Sequence, residues 1–405
     1  MAQGKSSRRS FMGAVAAVPA IPLTAASAAE AAAPKKNTRQ VAPPPMSTAD
    51  IKPWLGTCAQ VPSPNFGQAK SKEDAREALA KHMPKMEGVI RNAADRGSDL
   101  VLFPEFSLGS AGNDLKGVLD YPGPEIEKVQ KIAQAHKTYI GTNVYARSKD
   151  FPGRYLNTSL LINKSGDVVL VSYRLHTYHS NSPHDFWQRF LDKVGIEGAF
   201  PVARTELGNI SMLPSMDFMF PELSRIFALR GCETLLHTTS ENIVDVCTKR
   251  TRATENMMYV MSANGPSMRG QKSMQVGSKI IDFEGEVMAG LNEGVDGTCQ
   301  ATIDIEGLRR RRSDPDTVSP QSRGFLGANY LSRLRIEAYR EVYDAVTLYP
   351  ADTYKEGTVM TAGIDPGRNP ENLVTSLRNM VQAGLISPKY VKKPKAGDGP
   401  AYGGG

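Results

Sequence analysis

The chain has 405 residues, 40% of them apolar and 22% charged, with 36 glycines and 27 prolines. That balance excludes a collagen-like, disordered or multi-span membrane protein and leaves ample length for a large core. The 49 Lys and Arg exceed the 42 Asp and Glu by a net +7, an excess too modest, and partly N-terminal, to imply nucleic acid.

Residues 1–28 read as a targeting segment. Ser7-Arg8-Arg9-Ser10-Phe11-Met12, a weakly apolar run to Leu23 and then Ala26-Ser27-Ala28 look like a twin-arginine export signal with a cleavage site after Ala28. The expected location is the periplasm, where a disulfide is permitted but not required. The apolar run is too short to cross a membrane, so no membrane partner is expected. Residues 29–50, with Pro43-Pro44-Pro45, form a flexible Ala/Pro-rich spacer.

Trp54 to Ala59 reads as a first buried strand. Ser71-Lys72-Glu73-Asp74 resembles a capping box, and Leu79, Met83, Met86, Ile90 and Ala93 follow at helical spacing until Gly97. Pro84 should kink that helix. Asp99 to Phe103 is a short apolar run typical of a strand buried on both faces. Helices are predicted near 124–136, 222–230 and 246–257. Strands are predicted near 138–145, 155–163, 168–174, 209–214, 233–237, 259–263, 277–282 and 299–305.

This alternation argues for an α/β fold with layered sheets and one domain over residues 51–308. Residues 309–385 read as a C-terminal extension. It opens on the basic run Arg309 to Arg312, expected to be a solvated strand end. Leu331, Leu334, Ala338 and Val342 mark a helix over 329–344, and 386–405 reads as a disordered tail. Cys58, Cys232, Cys247 and Cys299 show no metal-finger spacing and read as buried, inert thiols.

Three segments carry chemistry. Leu102-Phe103-Pro104-Glu105 places a carboxylate just past a buried strand, where ligand crevices form in α/β sheets; a structural turn acid is the bland alternative. Ser215-Met216-Asp217-Phe218-Met219-Phe220-Pro221-Glu222 follows a strand and opens a helix, a turn suited to a developing oxyanion. The third is Arg250 to Asn256, followed by the strand Tyr259 to Ala263.

Together with Tyr155-Leu156-Asn157-Thr158-Ser159, Phe200-Pro201-Val202 and Gly277-Ser278-Lys279-Ile280, these resemble the nitrilase, or carbon–nitrogen hydrolase, superfamily. The resemblance implies an αββα sandwich, usually paired into a homo-oligomer, with no cofactor and no metal. It also implies a Glu-Lys-Cys triad that hydrolyses amides, carbamoyl groups or nitriles. Carried over, the base is Glu105. The nucleophile position holds Ser215 in place of Cys. The lysine that normally ends a Tyr-Arg-Lys tripeptide is Leu175, in Tyr173-Arg174-Leu175. A second family glutamate corresponds to Glu197.

A serine hydroxyl is much harder to deprotonate than a thiol, and losing the lysine removes a fixed cation. Strand alternation directs Arg174 and His176 to the face opposite Leu175, so neither replaces the lysine without a register shift. His176, His179 and His184 lie within nine positions, a set compatible with a metal but read as a solvated or substrate-facing loop. Two functions compete. One is an exported amidase-like hydrolase with an altered triad. The other is a catalytically silent protein that binds an amide, carbamoyl or amine ligand or acts as an assembly partner.

Overall fold

The computed structural model describes residues 50–64, 66, 69–110, 115–177, 181–240, 245–265, 277–292, 294–313, 331, 334–353 and 370–391. The export signal, most of the spacer and most of the expected tail lie outside them.

Two sheets stack face to face. The first comprises β1 (Trp54–Gln60), β2 (Ser98–Leu102), β3 (Leu119–Tyr121), β4 (Tyr139–Ser148), β5 (Tyr155–Ile162), β6 (Val168–Tyr173) and β13 (Gly297–Ile303). Its order is β13-β1-β2-β4-β5-β6, with β3 paired to β4. The second comprises β7 (Ala203–Thr205), β8 (Gly208–Pro214), β9 (Thr234–Thr239), β10 (Tyr259–Asn264), β11 (Lys279–Ile281) and β12 (Val287–Gly290), ordered β12 through β7.

Period-two alternation explains the layering. Leu100 and Leu102 of β2 meet Met212, Leu236 and Met261 between the sheets. Val101 and Phe103 face outward onto α1 (Lys72–Asp95) and α2 (Pro124–His136), against Leu79, Met86, Ile90, Ile126 and Val129. On the other side Leu235 and Val260 meet Leu223 and Phe227 of α4 (Pro221–Leu229) and Ala253 of α5 (Val246–Asn256). Each sheet is thus covered on both faces, which is why its strands read as unbroken apolar runs. The result is the expected four-layer αββα sandwich.

The Ser71 hydroxyl accepts from Asp74 N–H at 3.0 Å while Asp74 accepts from Ser71 N–H, so the capping box is complete. The helix then runs unbroken through Pro84 to Asp95. Cys58 and Cys299 face each other across β1 and β13 and are buried with Cys232, but Cys247, in the first turn of α5, is exposed.

The basic run is not a solvated strand end. It lies in α6 (Ile305–Ser313), where Arg309 grips the fully buried Glu233 through Nε (2.7 Å) and Nη2 (3.2 Å). Arg312 donates to the carbonyls of Cys232 (2.7 Å) and Met257 (2.8 Å). These carbonyls lie where α4 and α5 end, and helix ends leave carbonyls without intrahelical donors.

The extension is helical in α7 (Ile336–Ala345) and α8 (Pro370–Gln382). Its expected stripe differs: α7 begins after Leu334, buries no residue, and leaves Val342 66% exposed. Spacing fixes a helix, but burial needs a facing surface. The extension still touches the domain: the Tyr343 hydroxyl donates to Glu222 (3.1 Å), Asp352 N–H donates to His184 O (3.1 Å), and the Asp352 carboxylate accepts from Gln188 N–H (2.9 Å).

Candidate active site

Glu105 follows β2 in a tight turn and is fully buried. Its Oε1 accepts from Asn157 Nδ2 (2.7 Å) and Arg174 Nη1 (3.3 Å), and its Oε2 from the Ser240 hydroxyl (2.9 Å). Neighbouring strands set this geometry. Asn143 of β4 accepts from Phe106 N–H (3.0 Å) and donates to Asn157 Oδ1 (2.7 Å), so two buried asparagines fix the turn and orient the amide that reaches Glu105. Ser240 comes from the second sheet, just past β9, and the carboxylate therefore lies where the two sheets meet.

Arg174 supplies the cation. Its N–H donates to Asn157 O (2.9 Å), continuing the ladder one residue beyond β6, and its Nε donates to His176 O (2.9 Å). Strand alternation sends it away from Leu175's face, and that part holds. The side chain that reaches Glu105 is Arg174, while Leu175 joins the apolar cluster with Phe200, Val202 and Phe220. Leu175 therefore turns away from the carboxylate. A register offset of one residue is the signal that finds Arg174 from sequence.

Ser215 follows β8 and opens a short 3₁₀ turn, Ser215–Met219. It is fully buried, with φ at +51°, a left-handed conformation that costs a non-glycine residue ~1–3 kcal/mol and recurs at functional sites. His237 of β9 steadies the turn. Its Nε2–H donates to Ser215 O (3.0 Å), its Nδ1 accepts from the Ser262 hydroxyl (2.9 Å), and its ring stacks on Phe218 at 4.3 Å. Burial, reinforced by the charge of Lys249, holds His237 well below the usual histidine range, so it is neutral here.

Asp217 joins the two loops. Its carboxylate accepts from the N–H groups of Leu175 and His176, both at 2.7 Å, and from His176 Nδ1 at 3.0 Å. The Ser215 turn and the Arg174 segment are thus held together. Pro214 pairs in register with Thr238, which sets Ser215 level with Thr239, one residue from the Ser240 that touches Glu105. Glu105, Arg174 and Ser215 accordingly stand at the C-terminal ends of β2, β6 and β8, at one end of the sandwich.

Glu197 is not brought to this end. It lies on α3 (Trp187–Ala199), its side chain 55% exposed and ion-paired with Arg230. His176 stacks on Phe220 at 3.5 Å and His184 lies against Trp187 and Tyr349, so these two rings serve separate contacts; His179 lies outside the described residues. Among the described residues no cluster of three His, Cys, Asp or Glu is placed to hold a metal, and no helix is long and apolar enough to cross a membrane.

Sequence reasoning missed Tyr145 and Asn181. Tyr145 of β4 has its hydroxyl beside the Asn181 and Asn157 amides, with Glu105 and Arg174 close by. Burial, ahead of those neighbours, pushes its phenol up to about 12. Neither residue belongs to a motif, and only the fold assembles them.

The fold and site define a class first: a four-layer α/β sandwich with a carboxylate, a guanidinium and a serine turn at its strand ends. The chain belongs to the carbon–nitrogen hydrolase family, whose model matches residues 59–313. It is 25% identical over 214 residues to a hydrolase of Schizosaccharomyces pombe, covering 50% of this chain and 66% of that protein. It is 26% identical over 239 residues to an omega-amidase of Bos taurus, covering 56% and 83%. A formamidase of Pseudomonas syringae pv. tomato is 26% identical over 225 residues, covering 53% and 63%. The chain thus spans just under two thirds of the length of two of these relatives. Its fold is similar to the C. elegans NitFhit protein (TM-score 0.53, 20% identity, 72% of this chain and 67% of that one) and to a Nesterenkonia amidase (TM-score 0.51, 17% identity, 73% and 100%).

Proposed function

We propose that the protein hydrolyses the C–N bond of a small amide, carbamoyl compound or nitrile, with Glu105 as base, Ser215 as nucleophile and Arg174 in place of the family lysine. The observation that carries this reading is the buried Glu105–Arg174 pair at 3.3 Å, tied through Asp217 to the Ser215 turn. The names of the relatives, an omega-amidase and a formamidase, favour amides.

For an amide, Ser215 Oγ attacks the carbonyl carbon and its proton passes to Glu105. The C–N bond then breaks, and Glu105 returns that proton to the departing ammonia or amine. Water attacks the resulting acyl ester while Glu105 takes the water's proton; the ester C–O bond then breaks, and Glu105 returns that proton to Ser215 Oγ, releasing the carboxylic acid and restoring both residues. The guanidinium keeps Glu105 ionised between proton transfers and offers a donor near the developing oxyanion.

A second reading, ligand binding without turnover, is favoured by a different observation. Glu105 already accepts from Arg174, Asn157 and Ser240, and a serine needs a stronger base than a cysteine does. Both readings include export by the twin-arginine route to the periplasm, supported by Arg8-Arg9 and Ala26-Ser27-Ala28. Both also include a homo-oligomer and a working domain over residues 51–308.

Ammonia or amine release across short amides, carbamoyl amines and nitriles, read beside thermal shifts with the same compounds, tests these readings. Release that Ser215→Ala abolishes supports hydrolysis. Shifts without release support binding alone, and neither signal overturns both.

A further inference from the structure

Cys58 of β1 and Cys299 of β13 stand directly opposite each other in antiparallel register. Residues so placed have Cα atoms ~4.5–5.5 Å apart, inside the ~4.4–6.8 Å span of a disulfide. Both side chains belong to the core between the sheets, with Met261 and Ile280, and are 0% and 7% exposed. The two thiols are hydrogen-bond partners, and Cys58 Sγ also lies 3.9 Å from Lys279 O. Buried thiols often serve only as small apolar groups, but a pair at opposed positions also meets the geometric demand of a bond. Their acidities differ. Burial, then the bond with Cys299, raises the Cys58 thiol, whereas the bond with Cys58, helped by the Lys279 ammonium, lowers the Cys299 thiol. Cys299 is thus the readier thiolate. Among the described strands β13 is the edge of its sheet, where local opening admits a reagent.

We infer that Cys58 and Cys299 are a disulfide site, whose oxidation by a small-molecule disulfide fastens the edge strand β13 to β1. The Cys299 thiolate attacks one sulfur of the reagent. The reagent's S–S bond breaks, one small thiol leaves with the proton Cys299 gave up, and a mixed disulfide remains. The Cys58 sulfur then attacks Cys299 Sγ, the mixed bond breaks, and the Cys58 proton leaves on the second small thiol. Two protein thiols are oxidised and one external disulfide is reduced to two thiols. The new bond joins the first strand of the domain to the last, and closing so long a loop restricts the unfolded chain. It also braces the active end, because Cys58 pairs on its other side with Leu102 of β2, the strand that leads to Glu105. The oxidising periplasm proposed above is a compartment where such a bond persists.

The test incubates the full chain, carrying Cys247→Ser to remove the exposed thiol, with oxidised glutathione. It is run in native buffer and again in urea below the unfolding transition, where the sheet edge opens. Alkylation in denaturant and non-reducing peptide mapping by mass spectrometry then read the thiols. The peptides carrying Cys58 and Cys299 should be joined, with the loss of two hydrogens, in at least one condition, while Cys232 is alkylated. The joined protein should melt about 4 °C or more above the same protein kept reduced. Cys299→Ala should lose both the link and that difference, and Cys58→Ala should stop at glutathione held on Cys299. Cys58 and Cys299 alkylated separately in both conditions overturn the inference. So does a link that leaves the melting temperature unchanged or lowers it.

Discussion

Arg174 Nη1 lies 3.3 Å from Glu105 Oε1, with the two side chains only 8% and 0% exposed. At that burial water screens the pair little, and removing one partner strands the other's charge. Arg174→Met should therefore destabilise the protein by about 3–5 kcal/mol, whereas replacing both, Arg174→Met with Glu105→Gln, should recover part of that loss. Urea titrations of the three proteins check this. Equal stability of Arg174→Met and wild type would show that the pair is not coupled.

The left-handed backbone at Ser215 separates strain from chemistry. Ser215→Gly should be more stable than Ser215→Ala by about 1 kcal/mol, because glycine adopts φ of +51° without steric cost. Both variants should be inactive. Paired denaturation curves read the difference, and a more stable alanine variant would count against strain in the turn.

His237 gives a pH dependence with a definite sign. Its folded value lies well below the ordinary 6.5. Between the two values the unfolded chain binds a proton that the folded chain refuses. Stability from this residue is complete above pH 6.5 and falls as the pH drops below it, with a limiting slope of about 1.4 kcal/mol per pH unit. His82 and His184 are shifted the same way, so the contrast to measure is with His237→Gln. That variant should be less stable near pH 7 and lose less on acidification, by about one proton's slope, in urea melts from pH 7 to pH 5.

Arg309 and Arg310 are neighbours in α6 with opposite expectations. Arg309 binds the fully buried Glu233, whereas the Arg310 side chain is 72% exposed. Arg309→Met should cost about 3–5 kcal/mol and Arg310→Met under about 0.5. Similar costs for the two would restore the solvated reading of the basic run.

Export is the most direct claim of the leader. Changing Arg8 and Arg9 to lysine should leave the full-length precursor in the cytoplasm of the producing cell, visible by fractionation and blotting. Unchanged export would refute the twin-arginine route.

These contrasts show where sequence suffices. The capping box and the stripe Leu79, Met83, Met86, Ile90 and Ala93 were legible because helix caps and helical spacing are local, and every stripe residue is buried. Glu105 and Ser215 were legible because each sits in a motif at a strand end. Arg174 was legible only through a one-residue register offset, because alternation separates it from Leu175 but does not say which of the two faces meets the carboxylate. The sheet partner of Arg174, Asn157, is close in sequence, but its charge partner, Glu105, is 69 residues away. Arg309 shows the same limit: Glu233 is 76 residues off.

The central claim is that Ser215 takes an acyl group within reach of Glu105 and Arg174. Acid-quenched incubation with a small amide, followed by peptide mapping by mass spectrometry, tests it most directly. The account predicts an acyl adduct on the peptide carrying Ser215, absent from Ser215→Ala and reduced by orders of magnitude in Arg174→Met. Ammonia release that persists unchanged in Ser215→Ala, or an adduct on another residue, would contradict it.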